Sequence, residues 1–123
     1  MAVPVLKQGD VLIASIQAAL SDADLLQLRD ELAEKVGRLR ARGVIVDVTA
    51  LDVMDSFATR TLRGIAQTTK LRGAETVIVG IQPEVASAMV QLGLALNDIK
   101  TALDLEDGFA LLAPSLAGRT RGG

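Results

Sequence analysis

The chain has 123 residues, a formal net charge of −2 and 50% apolar residues, with no cysteine, histidine, tryptophan or tyrosine and only two phenylalanines. That length suits one domain around one core, and the apolar half, almost entirely Ala, Val, Leu and Ile, is enough to build it. The composition excludes disulfides, thiol chemistry and Cys-ligated zinc, and it removes the commonest general base. It also lacks the stacking rings and the positive charge that nucleic acid asks of a partner. No apolar run is long enough to span a bilayer, and the opening MAVPVLKQGD does not read as a secretory signal. A soluble, cytoplasmic, non-catalytic protein is expected, with no cofactor, no metal site, no nucleic-acid partner and no membrane contact.

VPVLK and VLIAS, separated by QGD, read as two short strands joined by a tight turn. The pattern then changes period. Leu25, Leu28, Leu32, Val36 and Leu39 recur at helical spacing, with Ser21 or Asp22 placed to cap the start and Gly43 following the basic last turn. VIVDV, residues 44–48, is a continuous β-branched run of the kind found in a strand covered on both faces. TALDVMD is loop-like. Helical spacing returns from Ser56 through Ala58, Leu62, Ile65, Ala66 and Thr69 and ends near Leu71, before Gly73. TVIVGI repeats the buried-strand signature, and PEVASAMVQLG follows as a short helix with Pro83 in its first turn and Gly93 at its C-terminal cap. IKTAL is read as a last strand and DLEDGFALLA as a last helix. The remaining PSLAGRTRGG has turn and linker composition. The expectation is an α/β fold in a single domain over residues 1–113, with a disordered tail over 114–123.

Gly73, Gly80 and Gly93 make neither a dinucleotide fingerprint nor a phosphate loop and read as turn and cap glycines. Asp47, near the end of a buried strand, has no acids on the early strands with which to hold magnesium, so it is expected to accept hydrogen bonds from the loop that follows it. Arg60, Arg63, Lys70 and Arg72 fall on the polar side of the second helix, either as a solvated face or as a docking surface beside Ser56.

The stretch VMDSFATRTLRG, residues 53–64, holds the most informative junction. With Asp55 as N-cap, Ser56 becomes the first helical residue, its hydroxyl at the rim of the sheet. A serine there commonly does no more than start a helix. It is also where a phosphate meets unpaired N–H groups and the positive end of the helix dipole. Phe57 beside it is expected to be exposed or half-exposed, an apolar mark for a partner to grip.

The order hairpin, helix, strand, loop, D-S-F, helix, strand, helix resembles the STAS domain, the fold of anti-sigma-factor antagonists. Within it, the chain resembles the RsbS-type short scaffold subunits of the bacterial stressosome. The resemblance rests on IVDVTALDVMDSFATRTLRGIA, LRGAETVIVGIQPEVASAMVQLGLAL and TALDLEDG, and it runs from about residue 3 to residue 113. It implies a mixed β-sheet opened by an N-terminal hairpin, with Ser56 as the phosphoacceptor. Thr59, one helical turn on and sharing its face, is a secondary candidate on spacing alone. The resemblance implies a switch kinase of the histidine-kinase-like ATPase fold that binds the unmodified scaffold and phosphorylates it, and a phosphatase that reverses this. It further implies long STAS paralogues with an N-terminal sensor domain. Asp55, Phe57, Arg60 and Arg63 are the residues expected to meet a partner.

Three function classes stay open at this point. The first is a phosphorylation-controlled scaffold that assembles with itself and with longer paralogues. The second is a monomeric anti-sigma-factor antagonist acting on one kinase-like inhibitor. The third is a small enzyme, against which the missing His, Cys and phosphate loop all speak. The aliphatic surplus favours the first, because part of it is expected to line subunit contacts.

Overall fold

The computed structural model describes residues 3–94, 96 and 98–121. Strands β1 (Val5–Gln8) and β2 (Val11–Ser15) form the expected hairpin, antiparallel, with Gln8 opposite Val11. Its two-residue turn holds Gly9 at φ 60°, a conformation favoured in glycine and suited to the strand twist.

Helix α1 (Asp22–Leu39) starts at Ser21, whose hydroxyl accepts the Asp24 N–H, and it buries Leu25, Leu28, Leu32 and Val36. Its end differs from expectation. The left-handed residue that stops it is Arg40 (φ 53°, ψ 41°), not a glycine. Gly43 instead opens strand β3 (Gly43–Asp47), where a Cβ would press against the side chains of Leu112 and Val11. That glycine is needed for close packing, not for a turn.

Helix α2 (Ser56–Leu71), strand β4 (Glu75–Val79), helix α3 (Pro83–Gln91) and strand β5 (Lys100–Ala102) follow as the periodicity predicts. Pro83 lies in the first turn of α3 and Gly93, at φ 71°, follows its end. The sheet order is β1-β2-β3-β4-β5, and every pair after the first is parallel. Strand alternation splits the core in two. Leu12, Ala14, Val44, Val46 and Ile78 face the larger cluster, which takes in α1, α2 and α3 through Leu28, Leu32, Leu62, Ile65 and Val85. Val11, Ile13, Ile45, Val77 and Val79 face the smaller one with Leu112.

That second face is covered by helix α4 (Leu105–Arg121), so residues 114–121 of the expected disordered tail are helical, while its residues 122–123 lie outside the described ones. The helix does not stop before Pro114 but carries that proline inside it. The apolar stripe explains this. Phe109, Leu112 and Leu116 continue across the proline and pack on the smaller cluster. Burial worth roughly 1.5–3 kcal/mol per fully covered side chain works against the ~3 kcal/mol that an interior proline costs. Some aliphatic surface stays outside, most of all Leu71 (90% exposed) and Leu103 (83%).

Because β2 to β5 are parallel, their C-terminal ends and the starts of all four helices share one pole of the domain. The ends of α1 and α2 and the starts of β3 and β4 share the other.

Candidate functional site at the start of helix α2

The loop between β3 and α2 is fastened before it reaches Ser56. Asp47 accepts two hydrogen bonds through one carboxylate oxygen, from the Thr49 N–H at 2.9 Å and the Thr49 hydroxyl at 2.6 Å, as expected for this aspartate. Gln82 Nε2 donates to the Thr49 carbonyl at 2.7 Å, tying the loop to the entry of α3. Gly80, at φ 81°, lies against Thr49 so closely that a Cβ there would collide with its side chain. Further on, Leu51 and Met54 are buried while Val53 is 70% exposed. The roles of Gln82 and Gly80 were not legible in the sequence, since nothing local links them to residue 49.

Asp55 is the N-cap of α2. Its backbone is extended and its carboxylate accepts the Ala58 N–H at 2.8 Å, while its carbonyl takes the Thr59 N–H at 3.0 Å. Ser56 is the first helical residue and is exposed. Among the described residues nothing hydrogen-bonds its hydroxyl, and the N–H groups of Ser56 and Phe57 find no acceptor, as the first turn of a helix leaves them. The first turn of α2 contains no acid, whereas α1 has Asp22 and Asp24, α3 has Glu84, and α4 has Glu106 and Asp107. The positive end of the α2 dipole therefore lacks the negative side chains found within the other three first turns.

Phe57 is half-buried, as expected, and lies beside the exposed Val53 in sequence and at the same pole. Between the starts of α1 and α2 a small cleft of about 110 Å³ is lined mainly by apolar side chains, including Leu20, Leu51, Val53 and Ala58, with Asp55 at its edge.

The other expected site residues divide. Arg60 is exposed one turn into α2. Arg63 is half-buried and pairs with Asp98 at 3.5 Å, so its charge is directed toward the segment before β5. Lys70 and Arg72 are not beside Ser56 at all. They sit at the far end of the helix, roughly 20 Å away at 1.5 Å per residue.

Thr59, expected as a secondary acceptor, is fully buried, and its hydroxyl donates to the Asp55 carbonyl at 3.0 Å. The reason is the helical stripe. Thr59 shares the inward face with Leu62, and threonine's methyl group fits that face while its hydroxyl bonds back to the preceding turn. In this conformation that oxygen is covered and already bonded.

Residues 2–108, which hold this helix start and the sheet opened by the hairpin, match one family model, that of the STAS domain. The chain belongs to the STAS domain family. Among solved structures this STAS chain is similar to a serine-to-glutamate variant of RsbS from Moorella thermoacetica, with 34% identity and a TM-score of 0.79 over 91% of this chain and 95% of that one. It is also similar to a chain of a structure described as the molecular architecture of the stressosome, a signal integration and transduction hub. There the identity is 32% and the TM-score 0.73, over 90% and 96% of the two chains. A sequence relative is the RsbT co-antagonist protein RsbRD of Bacillus subtilis (strain 168), 30% identical over 81 residues. That match covers 66% of this chain but only 29% of RsbRD. The chain is thus an RsbS-like STAS domain related to stressosome components. Among the described residues no helix is long and apolar enough to cross a membrane.

Proposed function

We propose that this STAS protein is a non-catalytic stressosome scaffold and phosphorylation switch in the cytoplasm. In this reading it holds a switch serine/threonine kinase of the histidine-kinase-like ATPase fold until Ser56 is phosphorylated, and a phosphatase resets it. It assembles with further copies and with longer STAS paralogues that carry sensor domains, which the likeness to RsbS, to a stressosome chain and to RsbRD supports.

One observation carries the switch. Ser56 is an exposed hydroxyl, with no partner among the described residues, in the one first turn of the four helices that holds no acid. Phosphorylation adds about 1.5–2 negative charges at neutral pH. The unpaired N–H groups and the helix dipole offset part of that charge within the protein, so the fold carries it. Asp52 and Asp55 stay nearby, and a partner surface fitted to a neutral hydroxyl, Val53 and Phe57 then meets a strongly anionic cluster. Release follows from the surface and not from unfolding.

The test is incubation with the candidate kinase and ATP, then site mapping, then calorimetric binding of the kinase to unmodified and phosphorylated protein with a thermal melt of each. Phosphate on Ser56, at least tenfold weaker kinase binding and an unchanged melt are expected. Equal affinity for both forms sinks the release mechanism. Light scattering with a long paralogue separates the scaffold from a monomeric anti-sigma-factor antagonist. A large assembly is expected, and a persistent monomer at micromolar concentration removes the scaffold role.

A further inference from the structure

We infer that the pole opposite Ser56 carries a binding cleft for a phosphate monoester, built around Arg42. The inference uses none of the residues of the switch, so it stands or falls separately from the function proposed above.

Arg42 lies between the end of α1 and the first residue of β3, and its backbone ties three elements together. Its N–H donates to the Asp10 carbonyl at 2.7 Å and its carbonyl accepts the Glu75 N–H at 3.1 Å. The side chain is half-buried, and its Nε is buried with no hydrogen-bond partner, the one such side-chain atom among the described residues. A buried guanidinium N–H without an acceptor is costly to the free protein, which favours a shift of the side chain that brings the guanidinium onto an anion in the adjoining cleft.

Two adjoining clefts meet at Arg42 and Gly73. One, of about 360 Å³, is bounded by Lys70, Glu75 and the α4 residues Pro114 and Ser115. The other, of about 200 Å³, is bounded by Gly37, Arg40 and Arg72. Arg40, Arg42, Lys70 and Arg72 thus line two hollows that share Arg42 and Gly73 in their walls. The acid in the lining, Glu75, already pairs with Lys100 at 3.3 Å.

Two backbone features hold the cations there. Arg40 occupies a left-handed position, φ 53°, where glycine is the usual residue, and its side chain lines the smaller cleft. Gly37 is a bare point on α1 beside the Arg72 guanidinium, and any Cβ at residue 37 would displace it. Planar guanidinium forks at Arg42 and Arg72 suit the oxygens of a phosphate, with Lys70 as a further point charge. No aromatic ring lines either cleft, so a nucleobase finds nothing to stack on and recognition rests on the phosphate itself.

A phosphate monoester comes either free in solution or on a phosphorylated side chain of another protein, and the test separates the two. At fixed ionic strength the protein is titrated with inorganic phosphate, the free monoester glycerol phosphate and a phosphoserine peptide while backbone amide resonances are followed. Shifts confined to residues 37–43 and 70–75, and absent from 53–58, are expected with at least one of these probes. Tighter binding of the peptide than of glycerol phosphate assigns the site to a protein-borne phosphate, and the reverse order assigns it to a free one. Arg42→Gln is expected to weaken binding at least tenfold. Gly37→Ala is expected to weaken it several-fold while the melting temperature holds or rises, because alanine is the better helix former and only Arg72 is moved. That pairing distinguishes lost binding from lost folding, and Gly37→Ala with Arg72→Gln carries the test if Arg42→Gln does not fold. The proposal is overturned if no probe shifts those residues, or if the folded variants bind as the parent does.

Discussion

Helices α2 and α4 begin alike and then part. Each has an aspartate N-cap. Asp55 accepts the Ala58 N–H at 2.8 Å and Asp104 accepts the Asp107 N–H at 2.9 Å, while their carbonyls take the N–H groups of Thr59 and Gly108. Past the cap, α4 fills its first turn with Glu106 and Asp107, and α2 places Ser56 where no acid follows. The same backbone device thus yields one helix start already satisfied electrostatically and one with room for added negative charge. Capping alone does not separate the two starts. The acid-free first turn beside Ser56 does.

The largest effect tests the helices' anchors. Leu62 of α2 and Leu112 of α4 are 1% and 0% exposed, each in a different half of the core. Truncating either to Ala is expected to cost about 2–5 kcal/mol in denaturant melts, the loss of transfer energy plus an unfilled cavity. Hydrogen exchange then sharpens the contrast. Leu112→Ala should loosen α4 while the amides at 59–65 stay protected, and equal loss of protection at both helices would show that the two starts are not independent. The next effect is the caps themselves. Asp55→Ala and Asp104→Ala should each cost about 1 kcal/mol, and the double variant should equal their sum to within about 0.5 kcal/mol if the sites are uncoupled. A much smaller loss at Asp55 would mean that the fastened loop, not the cap, holds the start of α2.

Much of this arrangement was legible in the sequence because it is local. Period-3.6 stripes, β-branched runs and the D-S-F junction give the order of elements, and Asp47 and Asp55 do what their positions imply. What escaped is what the chain assembles from distant segments or from the balance of two local signals. Thr59 reads as a neighbour of Ser56 along the sequence, yet the same stripe that predicts the helix turns it inward. Pro114 and the glycines after it resemble a linker, and only the apolar face waiting beneath Leu116 carries α4 past them. The pair Arg63–Asp98 and the basic clefts around Arg42 exist only once the sheet brings residues 37–43, 70–75 and 98 to their places.

The smallest expected effect bears most directly on the two helix starts. Ser56→Ala should change stability by less than about 0.5 kcal/mol, because an exposed residue is altered and Asp55 keeps the cap. The same variant should take no phosphate, and Thr59 should not replace the lost acceptor, since its hydroxyl is buried and bonded. Ser56→Glu puts a carboxylate into the acid-free first turn and should raise stability by roughly 0.3–1 kcal/mol at low salt, with the gain fading as salt screens it. Leu105→Glu makes the matching change in α4, where Glu106 and Asp107 already sit, and should give no such gain. Thermal melts of the three variants at low and high salt decide the matter. If Ser56→Glu is instead less stable than the parent at low salt and recovers at high salt, repulsion from Asp52 and Asp55 outweighs the dipole. Phosphate at Ser56 would then strain the helix start, and partner release would draw on local unfolding as well as on surface charge.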